Sequence, residues 1–537
     1  MHHLQHIAEL APVLERMGAR QVIIAPGSRN APLIQLFTSH SGFSCHSIVD
    51  ERSAGYVALG MARQTGEAVI IVCTSGTAVL NLSPAVAEAF HQNLPLVVLT
   101  ADRPLEKIPQ FNNQVFDQRA PYFNYSKGFF EFPTQVRTEE ELQSGFRAVE
   151  GLLKEALQDP QGPVHVNLPL SEPLYVPLPG ALLSPGKDKG SPIIRDEELN
   201  LPEAELSGKK VLILAGMGNG SEEIRRALEQ IAGRGQVAVV AENISNLNSE
   251  LFVSVPELVL AGADPDELKE LKPDVVITFG QQMVSKRMKL FVNSLEKAEI
   301  RVIPGGASVT GWLEAIGGNP EGEMENLYGA SWKALEEREY LRASTYLEAA
   351  PYCNLVVVQR ILERVPEGTV LHLGNSATIR NSQLIPSRSG LTYYSNRGVS
   401  GIDGTVSTAV GAAMVSQAPH LLLVGDLSFV YDSNAMWNKD FPENLKIVVL
   451  NDGGGGIFRL LDGPGQMEFF EEYSVTHHPV SLELLSQSFG RTFQRVEGLD
   501  GLEEQLEALF TGGSRFSVLE VDTTSGDNSR IFKDLFS

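Results

Sequence analysis

The chain predicts an α/β fold built from doubly wound parallel sheets, and three observations predict it. Short β-rich apolar runs alternate with helical stretches from one end to the other, the pattern of parallel strands joined by crossover helices. Gly27, Gly76 and Asp102 fall just past such runs, where a buried strand must turn into a loop. The 537 residues are 43% hydrophobic and 20% charged, enough for about three domains, each with its own core.

In the first third, "QVIIAPG", "HSIVDE", "AVIIVCTSG", "LPLVVLTAD" and "PVHVNLP" read as strands buried on both faces. "ERSAGYVALGMARQTG" and "TAVLNLSPAVAEAFHQN" carry the helical period between them. A proline-rich stretch with "PGKDKGSP" follows and reads as a linker over 176–207. The next set is "KKVLILAGMG", "QVAVVAEN", "PDVVITFG" and "EIRVIPGG". Its "GMGNGS" is half of a dinucleotide fingerprint, without the full GxGxxG or a suitably placed ribose acid, which argues against nucleotide binding. The last set is "GTVLHLGNS", "LTYYSNRG", "HLLLVGD", "LKIVVLND" and "RFSVLEVD". The expected domains are therefore 1–175, 208–345 and 346–537.

Composition narrows the function. A net charge of −23 argues against a nucleic-acid surface. An anionic substrate would need a local cluster of Arg and Lys. Cys45, Cys73 and Cys353 form no CxxC pair, which fits a reduced, cytoplasmic protein. Cys73 inside "VIIVCT" reads as core. No apolar run is long enough to span a membrane. "MHHLQHIAEL" lacks a signal-peptide pattern, and its histidines read as a frayed terminus rather than a metal site.

The most informative stretch is "LLLVGDLSFVYDSNAMWNKDFPENLKIVVLNDGGGGIF". Two apolar strands end in Gly425-Asp426 and Asn451-Asp452, the second followed by glycines at 453–456. Ligands of open parallel sheets sit at this edge. Oxygen donors beside glycines suit a hard cation that carries a diphosphate. Taken alone, each pair reads equally well as an ordinary turn.

The rest of the chain resembles the thiamine-diphosphate enzymes. The strings "APGSRNAPL", "VDERSAGYVALGMAR", "CTSGTAVLN", "LTADRP", "NNQVFDQ", "VSKRM" and "YSNRGVSGIDGTVSTAVG" resemble the menaquinone-pathway 2-succinyl-5-enolpyruvyl-6-hydroxy-3-cyclohexene-1-carboxylate synthase family. The likeness spans all three domains and is weakest in the central one outside "SKR". It implies an N-terminal pyrimidine-binding domain and a C-terminal diphosphate-binding domain, with thiamine diphosphate held through Mg²⁺ or Mn²⁺. The implied reaction is decarboxylation of 2-oxoglutarate, followed by 1,4-addition of the succinyl semialdehyde carbanion to isochorismate.

The resemblance also implies roles. Glu51 contacts the aminopyrimidine ring of the cofactor; by its position alone it reads first as a helix N-terminal acid. Thr77, Ile402, Gly425, Leu427, Ser428, Ile457, Phe458 and Leu461 fall on cofactor positions. Asp426, Asp452 and the carbonyl of Gly454 fall on the metal shell. Here the family's "GDG" is "GDL", and an aspartate, Asp452, stands where an asparagine is usual, with Asn451 one position earlier. Ser28, Arg29, Arg103, Asn113, Gln114, Lys286, Arg287, Ser376, Arg380 and Arg397 fall on substrate positions. Among them Arg29, Gln114 and Arg380 join Glu51 as catalytic candidates. Arginine suits dicarboxylates because it pairs with carboxylate bidentately. A homo-oligomer, dimer or tetramer, with active sites at the subunit interface is also implied. The runner-up readings are an acetohydroxyacid-synthase-like enzyme and a non-catalytic α/β binding protein.

Overall fold

The computed structural model describes residues 2–104, 116–180, 206, 208–218, 220–232, 236–303, 309–311, 313, 327–460, 464–510 and 516–536. The strands of the first sheet are β1 (Gln21–Ile24), β2 (Ser44–Ser47), β3 (Val69–Cys73), β4 (Leu96–Asp102), β5 (Gly128–Glu131) and β6 (Val164–Pro169). Their order is β2-β1-β3-β4-β6-β5, and every pairing is parallel. The second sheet has β7 (Val211–Ala215), β8 (Val237–Ala241), β9 (Val275–Phe279) and β10 (Glu299–Val302), ordered β10-β9-β7-β8. The third has β11 (Val370–Leu373), β12 (Thr392–Tyr394), β13 (His420–Gly425), β14 (Leu445–Asn451), β15 (Phe493–Val496) and β16 (Val518–Asp522). Its order, β12-β11-β13-β14-β16-β15, repeats that of the first sheet strand for strand. All three are parallel and doubly wound, as the alternation of runs predicts. Each has its topological switch point between its first and third strands, where ligands of such sheets bind.

The chain folds into two compact units. One comprises Met1–Arg195, Gly398–Gln417 and Asp432–Pro442 and contains the first sheet. The other comprises Asp196–Arg397, Ala418–Tyr431 and Glu443–Ser537 and contains the second and third sheets. The inner strands of each sheet are buried because they are nearly uniform apolar runs; β3 and β4 are buried at every position.

Within the first unit, the Glu51–Thr65 helix packs on the Thr405–Met414 helix at backbone distance. A Cβ on Gly60 would lie 2.0 Å from the Thr408 carbonyl oxygen, and one on Gly411 would lie 2.0 Å from that of Val57. Glycine is required at this crossing because any side chain would force the helices apart.

Four local expectations are corrected. "HSIVDE" is a strand only to Ser47, because Asp50 already caps the following helix by accepting from the Arg52 and Ser53 N–H groups. The helix expected over residues 77–93 is two, Thr77–Asn81 and Ser83–Gln92, with Pro84 in the first turn of the second. Strands β5 and β15, where the sequence predicts no strand, are short, half-exposed edge strands. The N-terminus is not frayed: Gln5–Ala8 is helical, and His6 is buried, with its pKa lowered to about 4 by desolvation.

Candidate active site

In the first unit, the Glu51–Thr65 helix starts at Glu51 because Asp50 satisfies its first free amides. Burial, and then Asp50, push the Glu51 carboxyl above its ordinary value. Its charge is felt by Cys73 at the end of β3, so Glu51 lies by the switch point of the first sheet. The turn is braced from behind. Asn434 Nδ2 donates to Asp50 Oδ2 (2.6 Å), and the Ser53 and Ser407 hydroxyls are 2.8 Å apart. Ser407 donates from its N and Oγ to the two oxygens of Asp432 (2.6 and 2.9 Å). Asp432 is fully buried, and desolvation pushes it up to about 7. Thr77 opens its helix after Gly76, whose φ of 82° glycine tolerates. Beside it the Thr74 and Ser75 hydroxyls are buried without a partner, as in a pocket shaped for a polar ligand.

Ser28 and Arg29 follow β1, and Arg103 follows β4. Arg29 is buried, donates to the Leu170 carbonyl (3.0 Å) and pairs with Glu172 (3.1 Å). Burial, and then the charge of Arg103, lower its pKa, although Glu172 opposes them. Two guanidinium groups therefore converge at one end of the first sheet. Ile402 is in the same unit and is 38% exposed, so an apolar side chain is left at the surface. Its loop is pinned by the buried Glu88, which accepts from Gly398 N and Val399 N, both at 2.6 Å. Further along, Tyr56 OH donates to Asp403 (2.8 Å).

In the second unit, β13 and β14 pair with Gly425 level with Leu450, so their ends carry Asp426 and Asp452 out together. Asp426 is 1% exposed, accepts from Leu427 N (2.8 Å) and from the Gly454 amide, and is raised by burial. Burial, and then Asp426, push Asp452 up to about 7. Asn451 is turned away, donating to Glu520 (2.7 Å) and accepting from Gly453 N (3.0 Å). A buried and a half-buried carboxyl in electrostatic contact are unfavourable unless a cation joins them, so this donor set fits a hard dication. Gly425, Leu427 and Ser428 line the end of β13, and Ile457 and Phe458 follow the glycines in the Gly456–Leu460 turn.

A second cationic group lies in the same unit. Arg397 is buried and donates to Asn375 (3.1 Å). Ser376, with φ 77°, opens the Ala377–Ser382 helix that carries Arg380. Lys286 and Arg287 begin the Lys286–Asn293 helix, where Arg287 meets Glu257 at 3.5 Å. Asn113, Gln114 and Leu461 lie outside the described residues.

Sequence reasoning missed several polar residues here. His478 Nε2 is 3.3 Å from Asp426. Lys289 is held below its usual range by burial and by Arg397 and Arg380, so it belongs to the cationic group. The third cation of "SKRMK" was the available signal for Lys289; Glu88, Asp432 and His478 had none, because their partners are distant in sequence.

Family comparisons agree with this geometry. Residues 7–120 match the model for the thiamine pyrophosphate enzyme N-terminal TPP binding domain, and residues 374–521 match its C-terminal counterpart. The chain is thus a thiamine-diphosphate enzyme. It is 36% identical to the 2-succinyl-5-enolpyruvyl-6-hydroxy-3-cyclohexene-1-carboxylate synthase of Desulfotalea psychrophila, over 98% of this chain and 100% of that one. It is 34% identical to the Flavobacterium johnsoniae synthase of that name (97% and 96% covered) and 33% identical to that of Porphyromonas gingivalis (99% and 96%). The chain belongs to this synthase family.

Proposed function

We propose that this thiamine-diphosphate-dependent transferase decarboxylates 2-oxoglutarate and adds the four-carbon fragment to isochorismate in a 1,4-addition, a step of menaquinone biosynthesis. The observation that carries the substrate class is the gathering of cations at strand ends in a chain of net charge −23. Arg29 and Arg103 meet in one unit, and Lys289, Arg380 and Arg397 in the other. Desolvated guanidinium groups recognise dicarboxylates.

The bound cofactor supplies the carbon nucleophile and the electron sink for decarboxylation. Glu51, its pKa raised by burial, holds a proton for the pyrimidine ring nitrogen. Asp426, Asp452 and the Gly454 carbonyl would hold Mg²⁺ or Mn²⁺, which would supply positive charge for the diphosphate; Asn451 is committed to Glu520. Thr77, Gly425, Leu427 and Ser428 border the cofactor. Ile402, Ile457, Phe458 and Leu461 would exclude water from the bound cofactor and lower the local dielectric, which favours reactions that neutralise charge. Ser28, Arg29, Arg103, Asn113, Gln114, Lys286, Arg287, Ser376, Arg380 and Arg397 bind the substrate carboxylates.

The direct test follows isochorismate absorbance with purified protein, thiamine diphosphate, Mg²⁺ and 2-oxoglutarate, leaving out each in turn. Loss that needs every component supports the reading. Turnover of pyruvate in place of 2-oxoglutarate would favour the acetohydroxyacid-synthase-like reading, which has no use for the arginines. We further infer a homo-oligomer, dimer or tetramer, whose active sites are shared between subunits. Mixed Glu51→Ala and Asp426→Ala proteins should then regain activity that neither has alone. The free thiols of Cys45, Cys73 and Cys353 are in keeping with a cytoplasmic location.

A further inference from the structure

The central sheet has the topology of a nucleotide-binding fold, yet its switch point is closed by its own chain. A Cβ on Gly216 would lie 1.8 Å from the Gln281 carbonyl oxygen, so the loops after β7 and β9 touch backbone to backbone. The amides a diphosphate would need are already used. Gly216 N donates to Phe279 O (2.9 Å), Met217 N to Gln282 O (3.3 Å) and Gly218 N to Ile244 O (3.1 Å). The ribose acid that sequence reasoning did not find is present as Glu242, directly after β8. It is 1% exposed and turned inward.

Glu242 has another task. Its Oε2 accepts from Val284 N (2.6 Å) and its Oε1 from Ser285 N (2.7 Å), two consecutive amides of the turn after β9. Glu257 completes the hold, with Oε2 accepting from Ser285 Oγ (2.6 Å) and Arg287 N (3.1 Å). Ser285 in turn caps the Lys286–Asn293 helix by accepting from Met288 N at 3.0 Å. Four donors from residues 284, 285 and 287 are thus bound by two carboxylates. A bidentate carboxylate on backbone amides is among the stronger constraints a loop can have. The constrained turn leads straight into Lys286 and Arg287. One turn on, Lys289 lies in electrostatic reach of Arg397 and Arg380, with Glu242 itself as the nearby counter-charge. A few tenths of an ångström at this turn would be carried into the cationic group, and misplacement of a binding group is costly.

We propose that Glu242, seconded by Glu257, is a positioning residue for substrate binding: it fixes the Val284–Ser285 turn so that Lys289, on the helix this turn opens, is presented to an anion together with Arg380 and Arg397. The inference rests on the dicarboxylate reading above. The central domain keeps the fold of a nucleotide site but uses its acid to hold the turn that leads to the substrate-binding cations.

The test compares the wild type with Glu242→Gln and Glu257→Gln, as full-length proteins with thiamine diphosphate and Mg²⁺. Glutamine keeps one acceptor but sets an N–H group against a backbone N–H. In Glu242→Gln, KM for 2-oxoglutarate or isochorismate should rise about tenfold while kcat changes less than about threefold. Thiamine diphosphate affinity, read by intrinsic fluorescence quenching, should be unchanged. Glu257→Gln should shift the same KM by less, and it carries the test if Glu242→Gln does not fold. Wild-type KM values for both substrates, or a lower Tm with no change in KM, overturn the proposal by leaving Glu242 a merely structural role. Hydrogen exchange separates this failure from failure of the substrate reading. If the wild type turns over neither dicarboxylate, faster exchange at Val284 and Ser285 in Glu242→Gln, with unchanged exchange at 216–218, still supports the clamp. Unchanged exchange at both places overturns it.

Discussion

The first and third sheets have the same strand order, β2-β1-β3-β4-β6-β5 against β12-β11-β13-β14-β16-β15, and opposite chemistry at corresponding strand ends. After β3 the first sheet offers neutral hydroxyls, Thr74, Ser75 and Thr77. After β13, at the same place in the order, the third offers the buried Asp426. After β4 comes Arg103, paired in charge with Arg29; after β14 comes Asp452, paired in charge with Asp426. One topology thus presents a raised carboxyl and two guanidinium groups in one copy and two adjoining carboxyls in the other. The second sheet has the same 2-1-3 order at its switch point, reversed in direction of listing, but that point is closed by backbone. Topology fixes where a site can lie, and the few residues past each strand end decide what it binds.

The sharpest way to break the comparison is at Glu51. Glu51→Ala should lower turnover about 10³-fold with Tm nearly unchanged, because the residue is half-buried and Asp50, not Glu51, caps the helix. Near-wild-type turnover would remove the first sheet's assigned role. In the third sheet, Asp426→Asn should abolish Mg²⁺-dependent binding of thiamine diphosphate, followed by calorimetry. The metal-free variant should melt no lower than the wild type, because one of two repelling carboxyls, the more buried one, is gone. A clear drop in its Tm would mean that Asp426 is a structural acid.

A smaller effect is expected at Arg29. Arg29→Lys keeps the charge but loses the planar fork that holds Leu170 O and Glu172, and should raise KM for one dicarboxylate about tenfold with cofactor affinity intact. An unchanged KM for both would confine substrate recognition to the other cation group.

Next is a pH effect from the brace behind Glu51. Asp432 has a folded value of about 7 against an ordinary 3.8. The folded state holds that proton more tightly than the unfolded chain, so this group removes stability as pH rises from about 4 to 7. Asp432→Asn should flatten that part of the slope, seen as closer urea midpoints at pH 5 and pH 8. Some slope will remain, since Glu242 is also raised to about 7. The smallest expected response is at the closed switch point: NAD⁺ or FAD should shift Tm by less than about 1 °C. A larger shift would reopen the nucleotide reading of the central sheet.

Much of this was legible in the sequence, because parallel strands buried on both faces are unbroken apolar runs and loops at their ends must carry Gly, Asp or Asn. Among the described strands, β2, β5, β10 and β15 are not unbroken apolar runs, and all four are edge strands; β5 and β15 occupy the same edge position in the repeated order. There one flank is exposed and selection for apolar residues is relaxed. The resemblance pointed to Glu51, Asp426 and the arginines because each stands in a short contiguous string. What the sequence could not determine is which polar groups meet. Asp452 faces Asp426 while its neighbour Asn451 turns to Glu520, because successive residues at a strand end point to opposite sides of the sheet. Glu242 clamps a turn more than forty residues away, and Asp432 braces Ser407 from twenty-five positions further along the chain. Such pairs arise because burial leaves a polar group only the partners that packing brings to it, and only the folded chain decides who they are.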